Sequence, residues 1–190
     1  MKKFLFLIVL LAITALCGCI RYQPITIPEP IPFVPLTSVS PPFEVDAVTS
    51  ASPNESSDPS AMNRLLSEDG FWIVAILSDM YMQNELNVQG TFHNKGDSAE
   101  SVYRKLALYA QDANHNVTAN YTLITPRVNV SSPNFRIQNG IVKGDIYVNA
   151  SGFELSGTTL DGDLIFASQA ISDSADISTG TITGEVRVNG

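Results

Sequence analysis

Between Phe135 and Val188 apolar residues return at fixed distances from three glycines, Gly144, Gly162 and Gly184. Two positions before each glycine lie Val142, Leu160 and Ile182, and two positions after lie Ile146, Leu164 and Val186. Four after lie Val148, Phe166 and Val188; seven before lie Ile137, Leu155 and Ile177; nine before lie Phe135, Phe153 and Ala175. Within one copy these residues form three short groups. The spacing predicts three short strands per eighteen-residue copy, one turn of a triangular parallel β-solenoid whose alternate side chains point inward and stack on the next coil. One such coil cannot bury its inner face alone, so stacking is needed for stability. The glycine is expected at a corner, where φ is positive or packing leaves no room for a Cβ. The acid after it (Asp145, Asp163, Glu185) is expected to point outward. Four extra residues separate the second and third copies around "QAISDS", which should bulge from one corner.

Upstream the same pattern is fainter. "MNRLL" predicts one helical turn, and the apolar run Phe71–Ser78 predicts a buried strand. "ELNVQGTFHN" alternates with period two, and places Val88, Gly90 and Phe92 in the register of Val142, Gly144 and Ile146. "RKLALYAQ" and "VTANYTLIT", on either side of the turn-like "DANHN", predict a hairpin. No helix is predicted beyond Ser67. The expected fold class is therefore all-β: a short triangular parallel β-solenoid (β-helix) with an inserted or N-terminal hairpin. A β-sandwich or jelly roll is the competing architecture, since it too is built from many short strands.

The coils in "NFRIQNGIVKGDIYVNASGFELSGTTLDGDLIFAS" resemble those of the bactofilin-like, polymer-forming β-helix proteins, and are similar to those of secreted lipoproteins that share such coils. The resemblance spans residues 71–190 and is strongest after Phe135. It implies a β-helix domain that assembles end to end without a nucleotide. Bactofilins are cytoplasmic scaffolds, and this chain departs from them at its N-terminal end.

That end opens with Lys2 and Lys3, followed by a run from Phe4 to Ala15 that is apolar but for Thr14. About 20 apolar residues are needed to span a bilayer as a helix, so the run reads as a secretory signal. It closes on "LCGC", which resembles a bacterial lipobox with Leu16 at minus three, Gly18 at minus one and Cys19 as the acceptor. The resemblance implies a diacylglycerol on the Cys19 thiol, cleavage after residue 18 and acylation of the new terminus. Each buried methylene contributes about 0.8 kcal/mol, and two or more chains hold a protein stably at a membrane. With Cys19 acylated and Cys17 removed, neither cysteine is left for a disulfide. Residues 20–62 hold nine of the eleven prolines. "PITIPEPIPFVPL" favours an extended polyproline II course, and "TSASPNESSDPS" is polar and flexible. Residues 19–62 are thus expected to form a tether, and residues 63–190 the β-solenoid domain, with its clearest coils at 135–190. At about 3.1 Å per extended residue the tether reaches on the order of 130 Å.

Charge and chemistry narrow the function. The formal charge is -8, and becomes -10 once Lys2 and Lys3 leave with the signal, which argues against nucleic acid and anionic headgroups as partners. His93 and His115 have no second ligand at metal spacing, and no cysteine remains for zinc. Asp112, Asn114 and Asn116 alternate as in a calcium loop, yet the sixth-position glycine and twelfth-position acid are missing, so a polar turn is expected. No phosphate loop, dinucleotide fingerprint or nucleophile elbow occurs. Asp145, Asp163 and Glu185 are expected to be solvated corner residues, because β-helix hydrolases build clefts from long loops that this chain lacks. Trp72, Tyr81, Tyr103, Tyr109, Tyr121 and Tyr147 are expected mostly in the core or along strands, with glycan stacking as the functional alternative. Asn54, Asn116, Asn120, Asn129 and Asn149 head N-x-[ST] triplets of the kind that Asn-rich turns produce. The expectation is a non-enzymatic structural protein without cofactor or metal, lipid-anchored at Cys19 to the outer face of the cell membrane. Its solenoid ends are expected to offer homo-oligomer contacts. The alternative is an envelope-glycan or surface-partner binding module, and the third reading is a β-helix polysaccharide hydrolase or lyase.

Overall fold

A computed structural model of the chain describes residues 54–56 and 58–189. The expected signal at 1–18, the acceptor Cys19 and the tether up to residue 53 lie outside the described residues. Strand β1 (Asn54–Ser56) is followed by helix α1 (Pro59–Leu65). The helix starts where Asp58 Oδ1 accepts the Ser60 N–H at 2.9 Å, with proline in its first turn, where no amide hydrogen is needed. It thus begins inside the span expected to be tether. It does so because Met62, Leu65 and Leu66 are apolar at helical spacing and bury against the β core.

Strands β2 (Ile73–Ile76), β3 (Met80–Tyr81), β4 (Leu86–Val88), β5 (Arg104–Ala107), β6 (Tyr109–Gln111) and β7 (Val117–Asn120) follow. Then come β8 (Thr122–Val130), β9 (Phe135–Gln138), β10 (Ile141–Val148), β11 (Glu154–Ser156), β12 (Thr159–Asp161) and β13 (Leu164–Phe166). Helix α2 (Gln169–Asp173), β14 (Thr181–Ile182) and β15 (Val186–Val188) complete the described chain. Two larger sheets result, and every pair of their strands is parallel. One runs β1-β2-β5-β9-β11. The other centres on β8 and β10, with β3 and β4 on β8, β12 and β13 on β10, and β14 and β15 outermost. The fold is all-β with parallel sheets, whereas sandwiches and jelly rolls are built from antiparallel neighbours.

The apolar columns read from the sequence are columns of strand register. Val142 pairs with Leu160 and Leu160 with Ile182; Ile146 pairs with Leu164 and Leu164 with Val186; Val148 pairs with Phe166 and Phe166 with Val188. Ile137 pairs with Leu155 in the other sheet. The columns extend upstream to Met80 and Leu123 above Val142, and to Leu86 and Val128 above Ile146. All of these but Ile182, Val186 and Val188 are buried.

Several expectations change. Val88 pairs with Val130, which pairs with Val148, so it belongs to the column four positions after the glycine and not to that of Val142. A short alternation fits more than one register, and what fixes this one is Leu86, which fills the Val128 column. Gly90 lies at a turn (φ +91°), outside the glycine column. The hairpin forms as β6 against β7, the one antiparallel strand pair among the described residues. It is shorter than the alternation suggested, because the rest of "RKLALYAQ" and "VTANYTLIT" joins the parallel sheets as β5 and β8. The four-residue insertion is α2, a helix that periodicity missed. Its start is capped by the Ser168 hydroxyl, and Ile171 packs against the core. The strand expected over Phe71–Ser78 is only β2, and Phe71 remains partly exposed.

One fully buried cation breaks the apolar pattern. Arg104 pairs in register with Phe135 and is 0% exposed. Its guanidinium lies 4.0 Å from the Phe92 ring centroid. It donates to the carbonyls of Phe71 (2.9 Å), Ser67 (3.0 Å), Leu65 (3.2 Å) and Gln89. Burial lowers its pKa to about 10, so it remains a cation at neutral pH.

Candidate functional site

The glycine–acid repeat forms a ladder along β10, β13 and β15. Gly144 has φ +129° and lies at a bend in β10, opposite a bulge of β8 that accommodates Pro126. A Cβ on Gly144 would overlap the carbonyl of Thr125, one on Gly162 that of Gly144, and one on Gly184 that of Gly162. Backbones therefore cross here at a separation only glycine permits. The acids finish the same bend. Asp145 Oδ1 accepts the main-chain N–H of Asp163 at 3.1 Å, and Asp163 Oδ1 accepts that of Glu185 at 3.0 Å. Their own carbonyls accept from the rung before: Ile146 N–H reaches Asp163 O, and Leu164 N–H reaches Glu185 O, each at 2.8 Å. Each carboxylate is a charged substitute for a main-chain acceptor where the strand turns. Asp163 also lies 3.6 Å from Arg187. The acids point outward as expected, but Asp145 and Asp163 serve as acceptors for the next rung.

Beside the ladder the outer face of the same sheet holds an open depression of about 410 Å³, lined by Arg127, Asn129, Tyr147, Ile165, Arg187 and Asn189. Asn129, Tyr147, Ile165 and Arg187 are successive register partners, so they form one outward column. Arg127 Nε is buried without a hydrogen-bond partner. Sequence reasoning missed this groove. The signal was the position three after each glycine, where Tyr147 and Ile165 put an aromatic and an apolar residue on an outward face beside Arg187. A second depression of about 470 Å³ lies between α1 and the β3–β4 turn, beside Tyr81, which is 63% exposed. Comparison with protein families, with curated proteins and with solved structures finds no match to this chain.

The remaining candidates are placed singly. His93 Nδ1 lies 2.8 Å from the Glu100 carbonyl, and His115 Nδ1 lies 3.1 Å from Gln111 Nε2. Among the described residues no group of three or more histidines, cysteines or acids is placed to hold a metal. In "DANHN", Asp112 Oδ1 accepts the N–H groups of Asn114 and Asn116 and its Oδ2 accepts from the Asn116 side chain. These bonds hold its carboxyl below the usual aspartate range, and fold the segment as a turn. Trp72 and Tyr103 pack at 6.3 Å, Tyr109 is buried, and Tyr121 packs on the core. Asn129 donates to Glu85 and Asn87, and Asn116 is held by Asp112. Asn120 and Asn149 are exposed, and the Asn54 side chain lies outside what is described. No helix among the described residues is long and apolar enough to cross a membrane.

Proposed function

We propose that the chain is a lipid-anchored scaffold of the cell envelope, carrying a β-solenoid of the bactofilin-like kind that associates through its end. The observation that carries this reading is the rung-on-rung register of the glycine–acid ladder. Its conspicuous acids, Asp145 and Asp163, are bound to the backbone of the next rung, which favours a building element over a reaction centre. Anchoring at Cys19 is tested by Cys19→Ser in the native host. The expected result is an unprocessed precursor that no longer takes up labelled palmitate; label that survives the change refutes the anchor.

The groove at Tyr147 supports a second reading, an envelope-glycan binding module. A ring face beside two arginines suits a sugar that carries a carboxylate. Cell-wall glycan pull-down is expected to retain the protein and to lose it, by roughly tenfold in affinity, on Tyr147→Ala. Equal retention of the variant eliminates the groove as the binding face.

A further inference from the structure

The two ends of the parallel stack are finished differently. At the β4 end, Asn63 of α1 closes the strand edge with its side-chain amide. Its Nδ2 donates to Glu85 O at 3.1 Å and its Oδ1 accepts the Asn87 N–H at 2.8 Å. Leu66 O takes the next amide, that of Gln89, at 2.9 Å. Met62, Leu65 and Leu66 cover the core beneath. At the other end the β11 edge is also blunted, by Leu155 N–H to Asp176 O at 2.9 Å and by the Thr179 hydroxyl on Leu155 O at 3.4 Å.

Strand β15 has no such closure among the described residues. It bonds β13 on one side, through Leu164 N–H to Glu185 O and Asn189 N–H to Phe166 O. In a parallel ladder alternate residues face alternate neighbours, so the main-chain groups of Val186 and Val188 point away from β13. Val186 is 50% exposed, whereas Leu164 and Ile146 in the same column are 0% exposed. An open edge with apolar side chains is a template for another strand.

We propose that β15 pairs antiparallel with β15 of a second copy across a twofold axis at Val186, forming a closed dimer. The proposal rests on the self-associating reading above and narrows it to one contact. The register follows from the side chains. An axis at Arg187 sets two guanidinium groups directly opposite, which is destabilising. An axis at Val188 sets each Arg187 against the uncharged Asn189. An axis at Val186 sets Val186 against Val186 on the inner face, and Glu185 against Arg187 twice on the outer face. It also makes Val186, whose N–H and C=O point outward, the hydrogen-bonded pair. Asn63 and α1 close the β4 edge at the other end, so that edge does not extend the dimer, and the contact is isologous.

Sedimentation of the full chain in detergent tests this. The expected result is a monomer–dimer equilibrium with nothing larger. Glu185→Arg and Arg187→Glu each place like charges opposite one another twice, and each weakens the dimer by roughly tenfold. An equimolar mixture of the two variants restores it, because every Glu185–Arg187 contact is then again between opposite charges, and so does the double variant. Both side chains are exposed, and an unchanged circular dichroism spectrum checks that the variants fold. Micelle sharing through the N-terminal segment does not respond to these charges. Growth beyond a dimer, or a dimer unmoved by either reversal, overturns the twofold pairing and leaves the self-associating reading standing. A strict monomer at the highest concentration reached overturns both.

Discussion

Replacing Arg104 with methionine is expected to destabilise the protein by roughly 3 kcal/mol. Methionine matches the apolar stem but has no donor. The carbonyls of Phe71 and Gln89 then lose the guanidinium donor, at about 1–3 kcal/mol each, whereas those of Leu65 and Ser67 lose it but keep the main-chain amides of Phe71 and Gly70. Relief of the cost of burying a cation offsets part of that loss, which keeps the estimate below the sum. Contact with Phe92 is lost as well. Arg104→Lys keeps the charge, but its single ammonium cannot span four acceptors set around a planar fork, and it is expected to recover less than half. Urea unfolding reads the effect as a lower midpoint at unchanged slope. A midpoint that stays in place for Arg104→Met means that the loops at 65–71 and 89 are held by something else.

Gly162→Ala is expected to cost about as much, for a different reason. The backbone at Gly162 is not left-handed, so alanine is not strained there; the obstacle is the carbonyl of Gly144 on the rung before. Both backbones are fixed by ladder bonds on either side, so neither yields without opening rungs. Overpacking of this kind costs roughly 1–3 kcal/mol or more. Gly96→Ala is the contrasting change. There φ is +70°, but the nearest atom to an added Cβ is a Trp72 side-chain atom at 3.7 Å, so only the left-handed strain of about 1 kcal/mol applies. Thermal unfolding of the two variants should therefore rank Gly162→Ala clearly below Gly96→Ala. The reverse order would mean that backbone conformation, and not rung separation, is what the glycine column protects.

The columns after Phe135 were legible in the sequence because each rung repeats the last at nearly the same length. Stacked residues must then share a chemical type, and five columns in three copies leave one register. Before residue 130 that redundancy is missing. Val88 alternates with its neighbours as well in one register as in another, and only its strand partner Val130 decides. Arg104 occupies a position that Phe135 and the repeat would fill with an aromatic. Its partners are carbonyls, which every residue carries, so no sequence pattern marks it. Helix α2 is five residues long, too short for a helical period to emerge, although the four-residue excess located it. The acid column was recognised by its spacing, and its outward direction is as read. Its function as an acceptor was not legible, because a carboxylate that receives an amide from eighteen residues away looks, in one dimension, like any solvated aspartate. The groove at Tyr147 lies on an outward column whose members, Asn129, Tyr147, Ile165 and Arg187, share no chemical type, so no repeat marks it.

The closure of one end by Asn63 also bears on how such a chain changes length over generations. A tandem duplication that adds one eighteen-residue copy after Gly162 meets a rung of its own kind on both faces. It alters no contact of α1. An equivalent insertion before β4 must displace the one side chain that completes the Glu85–Asn87 edge. Lengthening by duplication is therefore expected to be directional, with added rungs tolerated on the β15 side and resisted at the helix-capped end.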